Sequence, residues 1–278
     1  MISYQTILSN QVYLNSSQAS TYNNGSLKSN MNFNLKDVIS IDKQTLELKI
    51  SIINAQIPYS FYQINNTNNK FSITISGNTN NYYATLGNYN INTFITMLLG
   101  IIPAGFSITY NNSTSKLTFI YTNAFSLLDG TNSLFSIIGF AKGSVFLSVG
   151  NQITAPYCYN LSPLNKLNIY TDSFTLNNVD SFNKSQTNIL ASVPINCSPN
   201  DIILYYNFNN YRKNIHNPEQ FSNLNIEIYD DWENDIDFNN LDWSLTIQID
   251  VVKEIILNKK SLTDIYEEEM ANIDAVDI

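Results

Sequence analysis

The feature that most constrains this chain is an alternation of apolar and polar residues that keeps returning in short runs. In "QTLELKISIINAQI" (44–57), Leu46, Leu48, Ile50 and Ile52 fall on one side of an extended backbone, with Glu47, Lys49 and Ser51 on the other. Successive side chains of a strand point to opposite faces, so this spacing is that of a half-buried strand. The pattern recurs at 70–76, 105–110, 116–122, 166–171, 188–195, 201–208, 224–230 and 243–252. Between these runs lie clusters of Asn, Gly, Ser and Pro that read as turns, and "SITYNNSTSKLTFIY" reads as a hairpin with its loop at Asn111 to Ser115.

Two segments break the period of two. "NINTFITMLLGII" spaces Ile91, Phe94, Ile95, Leu98 and Leu99 as one face of a helix, with Asn90 as N-cap and Gly100 or Pro103 as the stop. "NSLFSIIGF" (132–140) is short enough to be read either as a helical turn or as a strand. Many short strands, few helices and no long repeat predict an antiparallel sandwich or barrel forming one β domain.

The flanks differ from this domain. Residues 1–30 are rich in Asn, Ser and Gln with isolated Ile7, Leu8, Val12 and Leu14, and are expected to be an extended arm that orders only against a neighbour. The domain is expected over 31–253. Residues 254–278 carry Leu262, Ile265, Tyr266, Met270 and Ile273 at helical spacing beside the acidic run Glu267 to Glu269, and are expected to form an acidic helical tail.

Composition narrows the function. Of 278 residues 44% are apolar but only 13% charged, and 44 asparagines stand beside a single arginine, Arg212. That usage is the mark of an AT-rich coding sequence. A formal charge of −9 disfavours direct nucleic-acid binding, which needs a basic face to displace counterions. Lys28, Lys36, Lys43 and Lys49 form only a sparse, solvated scatter. The N-terminus lacks the pattern of a secretory signal, no transmembrane segment is expected, and synthesis in a cytosol-like compartment follows.

Chemistry is sparsely provided for. His216 is the only histidine, in an Asn- and Pro-rich stretch read as a solvated loop, which leaves Ser-His chemistry and multi-His metal sites without residues. Cys158 and Cys197 are far apart in sequence and read as buried structural thiols. The acidic run "EIYDDWENDIDFNNLDW" brings Glu227, Asp230, Asp231, Glu233, Asp235, Asp237 and Asp242 together. A solvated loop, a calcium site and a glycosidase carboxylate pair all remain open for it, although EF-hand spacing is missing. No phosphate-binding glycine loop occurs among nine glycines. No catalytic, cofactor-binding or metal residues are assigned, and no cofactor is expected. The 18 tyrosines, clustered at Tyr82-Tyr83, Tyr157 to Tyr159 and Tyr205-Tyr206, suit a binding interface.

Taken in order, "KSNMNFNL", "LELKISIINAQIPYSFYQINNTNNKF", "YYATLGNYNINTFITMLLGII", "FSITYNNSTSKLTFIYT", "FSIIGF", "LNIYTDSF", "ILASVPIN" and "IEIYDDWENDIDFNNLDWSLTIQI" resemble the single jelly-roll penton and minor capsid proteins of virophages, polinton-like viruses and nucleocytoplasmic giant DNA viruses. The most specific marker is Ala55-x-Ile57-Pro58-x-Ser60-Phe61-Tyr62-x-Ile64, followed by Asn-Asn and a Gly87-Asn88-Tyr89 ahead of the helix. The resemblance runs from about residue 28 to 252, without 142–163 and the tail. It implies a single jelly roll, a homopentamer at icosahedral fivefold vertices, contact with major and other minor capsid proteins, a virion location after synthesis in the host cytoplasm, and no catalytic residues. One alternative is another minor capsid protein of the same fold; the other is a β-sandwich carbohydrate-binding or adhesion module using surface tyrosines, Trp232 or Trp243 and the acidic loop.

Overall fold

The alternating runs become strands, and every pair of them is antiparallel. The computed structural model describes residues 2–35, 45–176, 178–179, 186–216 and 222–256. The chain opens with β1 (Ile2–Asn15), β2 (Thr21–Tyr22), β3 (Asn30–Asn34) and β4 (Thr45–Pro58). A middle section follows, with β5 (Lys70–Ile75), β6 (Asn78–Tyr83), α1 (Ile91–Ile101), β7 (Ser107–Asn111), β8 (Lys116–Ile120), β9 (Phe125–Leu128), α2 (Phe135–Ile138), β10 (Val145–Leu147) and β11 (Gln152–Thr154). The final section has β12 (Lys166–Tyr170), the ribbon of β13 (Asn178–Val179) and β14 (Gln186–Thr187), then β15 (Ile189–Pro194), β16 (Ile202–Tyr206), β17 (Lys213–His216), β18 (Asn223–Tyr229) and β19 (Ser244–Ile256).

The first and last sections interleave. One sheet runs β1-β19-β4-β16, with β17 beside β16 along the same edge of β4, and the other runs β15-β12-β18-β3-β2. Number the main strands in chain order as β1, β3, β4, β12, β15, β16 with β17, β18 and β19. The first sheet is then one-eight-three-six and the second five-four-seven-two. Two interlocked Greek keys in this order are a jelly roll. The fold class is therefore all-β, with the two sheets closing over Leu48, Ile50, Leu167, Ile226, Ile228 and Ile249, all essentially without solvent exposure. Each such aliphatic side chain contributes on the order of 1.5–3 kcal/mol on burial.

β4 shows how a buried face survives a change of sequence parity. Leu48, Ile50 and Ile52 are buried at even positions, but beyond them the buried residues are Ala55 and Ile57. Thr246 pairs with Asn54 whereas Ile247 pairs with Ile52, so Ile53 is an extra residue on the β4 side. This β-bulge resets the alternation and keeps the apolar row on the core.

β1 changes the reading of residues 1–30. That stretch was expected to order only against a neighbour, yet Ile2–Asn15 pairs with β19 of the same chain along almost its whole length. Val12 and Leu14 point into the core. The jelly roll thus draws on residues before 31. It is also interrupted, because the middle section has its own core around Phe71, Phe94, Leu98, Phe119, Leu127 and Phe135, separate from that of the sandwich. Of residues 254–278, expected to form the acidic helical tail, 254–256 belong instead to β19, and 257–278 lie outside the described residues.

The middle section holds the two α-helices found among the described residues. Asn90 caps α1, accepting from the Asn92 and Thr93 N–H groups at 3.1 and 3.0 Å while Thr93 Oγ1 accepts the Asn90 N–H at 3.1 Å. This reciprocal box satisfies donors that the first helical turn leaves open. Phe94 and Leu98 bury the apolar face. α2 is a single turn stopped by Gly139 in the left-handed conformation at φ 84°. These elements pack on two small sheets, β10-β9-β5-β6 and β11-β8-β7.

Candidate interaction surfaces

The residues of the marker from Ala55 to Ile64 form the neck between the two cores. Pro58 closes β4 opposite Ile202, and the Tyr59 N–H then donates to the Asp201 carbonyl at 2.9 Å. Tyr59 stacks on Phe61 at 4.6 Å, and Phe61 meets the edge of Phe238 at 6.2 Å. Ser60 Oγ donates to the Phe238 carbonyl at 2.6 Å. Asn88 receives the Gln63 N–H at 2.8 Å and donates to the Phe61 carbonyl at 3.1 Å. Of the marker's aromatics only Tyr62 is exposed, so the motif is chiefly structural.

The carboxylates of the acidic run do not converge. Asp230 is buried and accepts from the Trp232 and Asn234 N–H groups and from Asn234 Nδ2, each at 2.8 Å, which makes it the staple of its own turn. Asp235 accepts from Asn24 Nδ2 at 2.9 Å and Ser29 Oγ at 3.0 Å. Asp237 accepts the Asn239 N–H at 2.8 Å. Lys28 Nζ and Ser16 Oγ each approach Asp242 at 2.7 Å and hold its carboxyl below the usual range. Asp231 pairs with Lys166 at 3.2 Å. Among the described residues no three His, Cys, Asp or Glu side chains are grouped to hold a metal ion. Between this loop and the neck lies a cleft of about 210 Å³, floored by Leu27, Phe61 and Leu164 and rimmed by Tyr62, Asp235 and Asp237.

Glu227 lies on the outer face of the second sheet. Burial first, and then the charge of Asp172, push its carboxyl up, against the pull of hydrogen bonds that include Asn30 Nδ2 at 2.8 Å. Tyr229, two residues on, is pushed up to about 12 by burial and by the Glu227 charge.

Other expectations need correcting. The backbone of His216 belongs to β17, opposite Glu47, rather than to a loop. Cys158 is exposed and Cys197 half-buried, because both sit in connections rather than on inward-facing strand positions. Trp232 is exposed, but Trp243 is core: its ring packs edge-on against Phe33 at 5.9 Å, and its Nε1–H donates to the Lys28 carbonyl at 2.7 Å. It offers no surface platform. The tyrosine pairs divide between faces, Tyr82 and Tyr205 turning partly inward and Tyr83 and Tyr206 outward.

The surface of which sequence reasoning picked out only Tyr205-Tyr206 is the outer face of the first sheet along β16. Ile203 is buried, while Ile202, Leu204 and Tyr206 point out at 56%, 44% and 50% exposure. The chain then turns so that Phe208 stands 89% and Tyr211 73% exposed. Asn207 braces that turn, its Oδ1 accepting the Tyr211 N–H at 3.0 Å and its Nδ2 donating to the Tyr211 carbonyl at 2.9 Å. Arg212 anchors it to the sheet by an ion pair with Asp250, which is 1% exposed and also accepts from Ser9 and Gln248. Tyr13 lies on the same face, in register with Tyr206 through Thr246 and Asn54. The available signal was "DIILYYNF", a run apolar at successive positions, which reads as a strand buried on both faces. A second apolar edge, Val145, Leu147 and Val149, lies on the middle section at β10.

None of the helices described is long and apolar enough to cross a membrane. No family model matches the chain, and no curated protein matches it. Among solved structures it is similar to the mavirus penton protein, at 12% identity and TM-score 0.44 over 88% of this chain and all of that one. It is similar to a chain in the Sputnik virophage structure, at 13% identity and TM-score 0.41 over 87% and 97%. A weaker likeness, at 13% identity and TM-score 0.22 over 81% of this chain and 100% of that one, is to the D2-D3 domains of the flagellar cap protein FliD from Escherichia coli.

Proposed function

We propose that the chain is a structural virion protein: a jelly roll that assembles as a homopentamer at the fivefold vertices of an icosahedral shell and contacts the major capsid protein and other minor capsid proteins. The observation that carries this reading is the coincidence of two features. The ordered motifs resemble single jelly-roll penton and minor capsid proteins, and the strands that those motifs form are arranged as a double Greek key. The motif residues Ala55, Ile57, Tyr59 and Phe61 are buried at the point where the sandwich gives way to the middle section, so the pattern marks an architecture rather than a reaction centre. On this reading the protein is not an enzyme, is made in the host cytoplasm and resides in the capsid.

The test has two parts. Mass spectrometry of purified particles should detect the chain, and native mass spectrometry of the purified protein should give a pentamer. A chain absent from particles would overturn the shell reading, and a chain that stays monomeric would overturn the pentamer.

A further inference from the structure

We propose that the outer face of the first sheet, centred on Phe208 and flanked by Ile202, Leu204, Tyr206, Tyr211 and Tyr13, is the surface on which a second copy of this chain docks. The inference rests on the reading of the protein as a self-associating shell component, and it names the face that does the associating.

Three observations support this occupant. The first is area. Aromatic side chains bury ~150–250 Å² each, so four strongly exposed aromatics and two aliphatics offer on the order of 800 Å², the share one partner contributes to a stable interface. The second is charge. Two copies of a chain carrying a formal −9 repel each other least where no ionised group faces the partner. The six side chains are uncharged; of the acids beside them, Asp250 is buried against Arg212 and Asp242 is paired with Lys28, so the exposed Asp201 next to Ile202 is a charge at the margin of the face and not at its centre. The third is rigidity. The turn that presents Phe208 is clamped by both amide atoms of Asn207 and tethered to the sheet by Arg212, so little conformational freedom is lost on docking.

Phe208→Asp and Tyr206→Asp test the assignment in the full chain, beside Leu147→Asp on the separate β10 edge. Sedimentation and native mass spectrometry should show the wild-type and Leu147→Asp proteins associated, with Phe208→Asp weakened at least ~10-fold in self-affinity. Because Phe208 stands clear of both cores, its replacement should leave the thermal midpoint unchanged. A photo-crosslinker placed at position 208 should capture another copy of the chain. A wild-type protein that stays monomeric, a Phe208→Asp variant that associates normally, or crosslinks only to other proteins would each overturn the proposal. Normal association of Phe208→Asp in a chain still found in particles would overturn this face and spare the shell reading. Absence from particles would overturn the shell reading instead.

Discussion

The side chain of Gln63 accepts the backbone N–H of Leu164 at 3.2 Å, although the two residues are a hundred positions apart. The same amide donates to the Tyr59 hydroxyl. One buried glutamine therefore ties the segment that follows β4 to the segment that leads into β12. Replacing Gln63 with Leu would strand the Leu164 N–H and the Tyr59 hydroxyl without partners. The expected loss is about 1–3 kcal/mol, measured as a fall in the urea midpoint. An unchanged midpoint would show that the tie contributes nothing.

Glu227 gives the fold a pH signature. Its folded carboxyl titrates above its unfolded value, so between the two the native state holds more protons and stability falls as pH rises. Glu227→Gln keeps an acceptor for Asn30 and removes the charge. The variant should be more stable than wild type at neutral pH, and the advantage should vanish as pH drops toward the ordinary carboxyl range. Tyrosine absorbance titration should also show Tyr229 moving down from about 12 once the neighbouring charge is gone.

Gly139 should not tolerate a side chain. It has φ 84°, and a Cβ there would run into the Tyr157 carbonyl, a backbone atom that cannot swing aside. Its own carbonyl accepts the Tyr157 N–H at 3.0 Å, so the two segments are held close. Gly139→Ala is expected to cost at least ~1–3 kcal/mol in unfolding free energy, whereas Gly130→Ala, with open space around its Cα, should cost far less.

Arg212 and Asp250 should behave as a pair. Arg212→Met alone leaves a buried carboxylate with only Ser9 and Gln248 as partners, and is expected to destabilise by roughly 3–5 kcal/mol. Arg212→Met combined with Asp250→Leu should recover most of that. A double-mutant cycle by equilibrium denaturation would show the coupling, and additive losses would refute it.

Deleting residues 2–15 should unsettle the sandwich itself. The expectation drawn from composition was a detachable arm, but the deletion removes Val12 and Leu14 from the core and turns β19 into an open edge. Lower soluble yield and a depressed thermal midpoint are the expected outcome, measured by solubility assay and calorimetry.

Strands whose alternation is paired with burial were legible: Leu48, Ile50 and Ile52 on β4, Leu224, Ile226 and Ile228 on β18, and Ile247 and Ile249 on β19. So was α1, because Asn90 and the Phe94–Leu98 spacing are local signals. β1 escaped notice because only Val12 and Leu14 carry its inward row within the polar stretch that follows Leu8. β6, "NTNNYY", escaped because it pairs with β5 while leaving nearly every side chain outside, so no apolar alternation marks it. The second core was hidden for another reason: period tells which face of a strand is buried, not against which layer. At the candidate surface the residues were visible but their exposure was not, since an apolar run on an edge strand looks the same as one in a sheet interior.

Interruption of the sandwich between β4 and β12 bears on how the chain reaches its native state. The second sheet cannot close until β12 arrives beside β18, and loop-closure entropy rises with the length of floppy chain in between, though slowly. If the middle section collapses first around Phe71, Phe94 and Phe119, the Gln63–Leu164 tie brings its two ends together, and the connection shrinks from a long coil to a short tether. Refolding monitored by pulse-labelled hydrogen exchange should then protect α1 and β5 amides before those of β12 and β18. The section that contributes no strand to the jelly roll would serve as the clamp that lets its Greek keys close in time.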